Sequence, residues 1–67
     1  MRHTLRGQTL TVYLSGELDH HSASQIRQEL DALIRDSRAR RLVLDLSSLT
    51  FMDSSGIGVI LGRYNQM

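Results

Sequence analysis

The 67-residue chain contains no cysteine and no lysine, and each absence excludes a class of site. Without cysteine the chain forms no disulfide, and three histidines alone disfavour a structural zinc site. Without lysine it lacks the Gly-Lys-Ser/Thr step of a phosphate-binding loop, so we do not expect it to bind nucleotides. A chain this short buries only roughly 60% of the surface exposed by its unfolded form, so packing or association must supply its stability.

Long apolar runs and a strong net charge are also missing. The longest apolar run, from Ile57 to Leu61, is far shorter than the roughly 20 residues of a membrane span. Met1-Arg2-His3 leads into a polar stretch rather than the apolar centre of a signal peptide. We therefore expect a cytoplasmic protein with no membrane partner.

The positive charge is carried by arginine alone, and part of it is clustered. Between the predicted elements lie Arg35, Arg38, Arg40 and Arg41. Asp31 and Asp36 lie close to these arginines, and no aromatic residue lies within the cluster. A net charge of +1 also gives no strong field, so we predict no nucleic-acid partner.

The first half of the chain predicts a hairpin followed by a helix. Apolar alternation predicts a strand over Thr9–Leu14, closed by Gly16 and Asp19, with a short antiparallel strand over residues 2–6 before it. From Ser22 to Arg35 the apolar period becomes helical. Ser22 with Gln25 fits a capping box, and Asp19 is a second candidate cap.

The second half predicts another strand and another helix. Arg41–Leu46 is nearly continuously apolar, which is typical of a parallel strand covered on both faces. Residues 47–53 are predicted as a loop, and a second helix starts at Ser54 or Ser55. Its apolar positions at helical spacing are Ile57, Ile60, Leu61 and Tyr64. The order β-β-α-β-α indicates a single α/β domain with a mixed sheet.

The most informative stretch is the segment from Phe51 to Gly56, which follows a strand and opens a helix. Functional groups gather at the carboxyl ends of parallel strands, and a helix N-terminus favours a phosphate. Residue types leave three interpretations of Ser54 open: a helix cap, which is the commonest role, a phosphorylation site, or a hydrolytic nucleophile. The Gly-x-Ser-x-Gly pattern of hydrolases is absent.

Two further features bear on this site. Leu18-Asp19-His20-His21 follows the neighbouring strand, so Asp19, His20 and the Asp53-Ser54 turn are expected at one edge of the sheet. Adjacent histidines point in different directions and chelate one metal poorly, so we predict no metal site. Glycines at the spacing of this helix allow close approach of another backbone, and we assign that role to Gly62.

Two segments carry a specific resemblance to a known family. FMDSSGIGVILGRY, from Phe51 to Tyr64, resembles the phosphorylation segment of the STAS-type anti-sigma-factor antagonists, the sporulation stage II protein AA family. GELDHH, from Gly16 to His21, resembles the signature that follows the family's second strand. The resemblance implies a truncated STAS-like fold over residues 1–67, lacking the C-terminal strand and helices of the family. It also implies homo-oligomers, because truncation bares an edge.

The resemblance further implies a regulatory binding protein, not an enzyme, with no cofactor of its own. Ser54, directly after Asp53, is the phosphoacceptor by this comparison. The partner is a serine-kinase anti-sigma factor that binds ATP, and a phosphatase resets the switch, controlling release of a sporulation sigma factor. The implied partner-binding residues are Glu17, Asp19, His20, Met52, Asp53, Ser54, Ser55 and Gly56. An alternative is a STAS scaffold that assembles with other STAS chains while Ser54 stays unmodified.

Overall fold

The computed structural model of the chain describes residues 1–66, which form five elements. They are β1 (Arg2–Arg6), β2 (Thr9–Leu18), α1 (Ala23–Ser37), β3 (Arg41–Met52) and α2 (Ser54–Gln66). The strand order is β1-β2-β3, with β1 antiparallel and β3 parallel to the central β2. The predicted order of elements and the mixed sheet are confirmed.

The core lies on one face of the sheet, beneath both helices. Alternate β2 residues Leu10, Val12 and Leu14 are buried there, as their spacing requires. They form one apolar cluster with the following helical residues: Leu30 and Ile34 of α1, and Val59 of α2. Burying each large side chain contributes about 1.5–3 kcal/mol, so this cluster supplies most of the driving force for folding.

The opposite face of the sheet carries no helix in the described part of the chain. Val43 of β3 is 42% exposed there. The guanidinium of Arg2 lies 4.5 Å from the centre of the Tyr13 ring on the same face. Within residues 1–66, β3 is therefore covered on one face and not on both as expected, because α1 and α2 both pack on the side of Leu10 and Val12.

Both long strands extend beyond their predicted ends. β2 continues to Leu18 through Gly16, whose positive φ of 76° lies at an irregularity in the pairing with β3. β3 continues to Met52, so the loop predicted over 47–53 is wrong except at its last residue. The added part of β3 pairs with the added part of β2, and the Thr50 hydroxyl donates to the Gly16 carbonyl at 3.0 Å. Pairing thus outweighs the weak strand preference of Ser47 and Ser48.

Of the apolar positions predicted for α2, only Ile60 packs against the core. Gly56 and Val59 are buried, whereas Leu61 is 55% and Tyr64 78% exposed. An ion pair joins the two helices: Arg63 Nε lies 3.1 Å from Asp31 Oδ1. None of the helices in the described residues has the length and apolar character of a membrane span.

Candidate functional site

The carboxyl ends of β2 and β3 meet at one edge of the sheet. Leu18, the last residue of β2, pairs with Met52, the last residue of β3. The Asp53 N–H donates to the Leu18 carbonyl at 3.3 Å, so the two exits from the sheet are joined. The segments predicted to lie together, 19–22 and 53–56, are therefore neighbours.

The carboxylate of Asp53 connects these two segments. Its Oδ1 accepts hydrogen bonds from the N–H groups of Ser55 at 2.9 Å and Gly56 at 3.3 Å, as an N-cap residue does. Its Oδ2 accepts a hydrogen bond from the His20 N–H at 3.3 Å. One side chain thus caps α2 and also holds the turn that precedes α1.

Asp19 organises that turn. Its Oδ1 accepts hydrogen bonds from the N–H groups of His21 at 2.9 Å and Ser22 at 3.1 Å. The bond from Ser22, with a further contribution from His21, lowers the pKa of Asp19 below its ordinary value. The carboxylate is therefore charged at neutral pH and fixes the backbone on which His20 lies.

The capping box predicted at Ser22 does not form. Ser22 is the N-cap residue of α1, but its side chain makes no capping bond to the helix. The hydroxyl instead donates to the Glu17 carbonyl at 2.9 Å and accepts from the Asp19 N–H at 3.1 Å. A turn that is tied to the end of β2 outcompetes the local helical motif.

Gly56 allows α2 to begin directly against the end of β2. A Cβ atom built on Gly56 would lie 2.6 Å from both the Leu18 carbonyl oxygen and Met52 Cγ. The same atom on Gly58 or Gly62 would have nothing within 4 Å. The close approach that we assigned to Gly62 therefore occurs at Gly56.

Ser54 is exposed and is the first residue of α2. Asp53 takes the capping position, so the Ser54 hydroxyl is not needed for that role. No group in residues 1–66 hydrogen-bonds to this hydroxyl, and no histidine nitrogen is paired with it as a general base would be. Among the three interpretations of Ser54, the geometry does not favour the helix cap or the hydrolytic nucleophile. It leaves the hydroxyl accessible to a second protein.

The other predicted site residues divide into an accessible group and a supporting group. Glu17, His20 and Met52 are exposed, as Ser54 is. Asp19, Asp53 and Ser55 are half-buried, and Gly56 is buried. We call these eight residues the Ser54 surface. Its accessible members provide contact area, and its supporting members fix the shape.

Sequence reasoning missed a groove beside the Ser54 surface. The groove has a volume of about 350 Å³ and lies between the first turns of α1 and α2. It is lined by His20, Ala23, Ser24, Arg27, Ser55, Gly58 and Val59. Arg27 lies among the polar positions between the apolar residues of α1. Arg27 lies one helical turn after Ala23, and this spacing indicates that both residues lie on the same side of α1. Predicting the groove also required knowing that α2 packs alongside α1.

His20 and His21 lie next to each other at the surface. The rings of His20 and His21 lie 3.9 Å apart, and both side chains are exposed. Within residues 1–66, no three histidine, aspartate or glutamate side chains are grouped as metal ligands would be.

Comparison with known proteins identifies a family and named relatives. The model of the STAS domain matches residues 2–67. The chain is 54% identical over 55 residues to an anti-sigma F factor antagonist of Paenibacillus polymyxa, covering 82% of this chain and 47% of that protein. It is 42% identical over 60 residues to an anti-sigma F factor antagonist of Lysinibacillus sphaericus, covering 90% and 51%.

Solved structures of the anti-sigma factor antagonist SpoIIAA share the fold. The unphosphorylated form superposes with a TM-score of 0.74 and the phosphorylated form, from Bacillus, with 0.73, both at 35% identity. Each comparison covers 97% of this chain and 60% of SpoIIAA. The chain thus spans about half the length of the curated relatives that it matches.

Proposed function

The chain belongs to the STAS domain family, and from that premise we propose that it is an anti-sigma-factor antagonist switched off by phosphorylation of Ser54. Its relatives named as anti-sigma F factor antagonists support a regulatory binding role rather than catalysis. SpoIIAA, which has been solved in a phosphorylated form, supports the modification. We further propose that residues 1–67 are the N-terminal part of a STAS domain.

The observation that carries this proposal is the exposed hydroxyl of Ser54 at the start of α2. In the proposed reaction, Ser54 Oγ forms a bond to the γ-phosphorus of ATP held by an anti-sigma-factor kinase. The bond from that phosphorus to ADP breaks, and the hydroxyl proton passes to a base of the kinase. Such a reaction needs an acceptor that protrudes from its own domain, and Asp53 leaves Ser54 free by capping the helix.

The Ser54 surface is the proposed binding site for the kinase. Glu17, His20, Met52 and Ser54 would contact the partner, because they are exposed. The hydrogen bonds of Asp19 and Asp53 keep the two turns in a fixed arrangement. A fixed surface loses little conformational entropy on binding, which favours affinity.

Phosphorylation would weaken this complex electrostatically. It adds about −1.5 to −2 charge units to the side chain that follows Asp53. The N-terminus of α2 offsets part of this charge, but the new phosphate must still be desolvated against a partner that fitted a neutral hydroxyl. Because 1.4 kcal/mol is about a tenfold change in affinity, no refolding is required. A phosphatase would restore the binding form.

The acceptor can be identified directly. The chain is incubated with the anti-sigma F factor of Paenibacillus polymyxa and ATP, and phosphate is located by mass spectrometry of peptides. We expect one phosphate on Ser54, none on Ser54→Ala, and unchanged incorporation in Ser55→Ala, the neighbouring serine. Equal phosphorylation of Ser54→Ala and wild type would exclude the assignment.

A second candidate function is a STAS scaffold that assembles without modification. The exposed apolar residues Phe51, Leu61 and Tyr64 favour some form of association. In this case the chain would assemble with other STAS chains while the kinase left Ser54 unphosphorylated. The same incubation therefore distinguishes the two candidates.

A further inference from the structure

Arg27 is a charged side chain of the groove between α1 and α2, and it has no partner in residues 1–66. Its guanidinium makes no ion pair and no hydrogen bond with the described part of the chain. Asp31, one helical turn further along α1, could pair with it, but Asp31 Oδ1 lies 3.1 Å from Arg63 Nε of α2. The positive charge of Arg27 is therefore available to another molecule.

No acidic side chain of residues 1–66 lines this groove. Its titratable lining residues are Arg27 and His20. The carboxylates of Asp19 and Asp53 lie at the adjacent turns, but Asp19 accepts two backbone hydrogen bonds and Asp53 accepts three. They stabilise those turns and do not neutralise Arg27. A carboxylate that enters the groove would therefore meet a guanidinium, with no competing anion in the wall.

The walls of the groove consist largely of small residues, which leaves room for a side chain from outside. Ala23 and Ser24 line it from α1, and Ser55 and Gly58 line it from α2. A Cβ atom on Gly58 would have nothing within 4 Å, so the space beside this residue is open. The volume of about 350 Å³ accommodates the carboxylate of an aspartate or glutamate together with its aliphatic stem.

The groove is continuous with the Ser54 surface, because His20 and Ser55 belong to both. A protein whose active site covers Ser54 Oγ therefore also reaches the groove. Of all possible occupants, the kinase of the proposed function is the one that must approach this part of the domain.

We propose that an aspartate or glutamate side chain of the anti-sigma-factor kinase enters this groove and pairs with Arg27. This contact rests on the proposed function and adds a residue of α1 to the Ser54 surface. A guanidinium binds a carboxylate through two parallel hydrogen bonds, which fix the direction of the pair as well as its distance. Arg27 would thereby orient the kinase over Ser54.

The kinase would also exclude water from the groove, and a desolvated ion pair is stronger than an exposed one. Complementary charges across an interface speed association and disfavour wrong partners. Reversing the charge of Arg27 should therefore weaken kinase binding without changing the fold.

The affinity of the unmodified chain for the anti-sigma F factor of Paenibacillus polymyxa with ADP, measured by isothermal titration calorimetry, tests this contact. Arg27→Glu should weaken the Kd at least about tenfold, with far-UV circular dichroism showing an unchanged fold. Arg35→Glu, the same charge change near the end of α1, is the control and should bind as wild type does. Equal affinities of Arg27→Glu and wild type would overturn the proposal.

Gly58→Gln tests the groove independently of charge. Its side chain would extend into the open space, whereas the methyl group of Gly58→Ala leaves most of the groove free. We expect binding at least about tenfold weaker for Gly58→Gln. Gly62→Gln should cause no loss, because a Cβ atom there also has nothing within 4 Å and Gly62 does not line the groove. Wild-type affinity of Gly58→Gln would contradict occupation of the groove.

Because the chain contains no lysine, the partner residue can be identified by cross-linking. Arg27→Lys keeps the positive charge and adds the one side-chain amine of the chain. A carbodiimide should join that amine through an amide bond to an aspartate or glutamate of the kinase, which mass spectrometry of peptides locates. Arg35→Lys is the control and should give no such product. Cross-links from Arg27→Lys to a second copy of this chain instead, or equal yields from both variants, would overturn the proposal.

The outcomes separate this contact from the proposed function. If the Arg27 variants bind the kinase and are phosphorylated as wild type is, the contact is wrong and the function of Ser54 stands. If binding depends on Arg27 but Ser54 receives no phosphate, the phosphorylation switch is wrong and the contact stands. A wild-type chain that does not bind the kinase would overturn both.

Discussion

Replacement of Gly56 by alanine should destabilise the domain although alanine is the better helix former. The new Cβ would lie 2.6 Å from the Leu18 carbonyl oxygen and from Met52 Cγ, and 2.8 Å from Leu18 Cγ. Ordinary contacts of a Cβ atom begin at 3.4 Å. The Met52 side chain can turn away, but the Leu18 carbonyl belongs to the paired end of β2. Relief therefore requires α2 to move away from the sheet.

The expected magnitude follows from comparison with Gly58, which lies two residues further along the helix. At Gly58 a methyl group has nothing within 4 Å, so Gly58→Ala should stabilise the fold by up to about 1 kcal/mol through helix propensity. At Gly56 the same gain is opposed by overpacking, which costs about 1–3 kcal/mol. The free energy of unfolding should thus be about 1–3 kcal/mol lower for Gly56→Ala than for Gly58→Ala.

Urea denaturation followed by far-UV circular dichroism measures this difference. The comparison is valid when the unfolding free energies of both variants fall with urea concentration at the same slope. For a domain of this size, the corresponding separation in Tm is on the order of 10 °C. Because Gly56 lies in the first turn of α2, its replacement should also slow phosphorylation of Ser54, whereas Gly58→Ala should not. If Gly56→Ala were as stable as Gly58→Ala, or more stable, the close approach of α2 to the end of β2 would be refuted.

Three further changes test the hydrogen bonds around the site. Asp53→Ala removes the cap of α2 and should lower the free energy of unfolding by about 0.5–2 kcal/mol in urea denaturation; an unchanged midpoint would contradict the cap. The lowered pKa of Asp19 means that its contribution to stability is present above the ordinary value of 3.8 and is lost as pH falls below it. Asp19→Asn should therefore show less acid destabilisation than wild type in urea midpoints below that pH, and parallel profiles would oppose this. Asp31→Asn breaks the pair with Arg63 and should cost about 1 kcal/mol or less, because Asp31 is 39% exposed; Glu29→Gln on the same helix should cost nothing.

Hydrophobic periodicity was sufficient to predict the elements and their order. The helical stripe predicted over Ser22–Arg35 corresponds to α1 at Ala23–Ser37, and alternation located β2 correctly at its start. Both signals are local, because the spacing of apolar residues records which face of an element is buried. The extension of β3 through Ser47 and Ser48 had no local signal, since it depends on pairing with the end of β2.

The site was predicted in position but not in detail. Parallel pairing of adjacent strands required the segments of Asp19 and Ser54 to share an edge, and they do. The division of roles could not be predicted, because it depends on contacts between segments. Ser22 bonds to the end of β2 rather than to its own helix, and Asp53 bridges two turns. The role of Gly56 likewise depends on how closely α2 approaches Leu18.

The central claim is that added charge on the exposed hydroxyl of Ser54 releases the partner. Its most direct test is the affinity of the chain for an anti-sigma F factor, measured with and without phosphate on Ser54. Isothermal titration calorimetry with the Paenibacillus polymyxa factor and ADP should give a Kd at least about tenfold weaker after stoichiometric phosphorylation. Ser54→Ala should bind as tightly as the unmodified chain. An unchanged Kd for the fully phosphorylated chain would contradict the proposed switch.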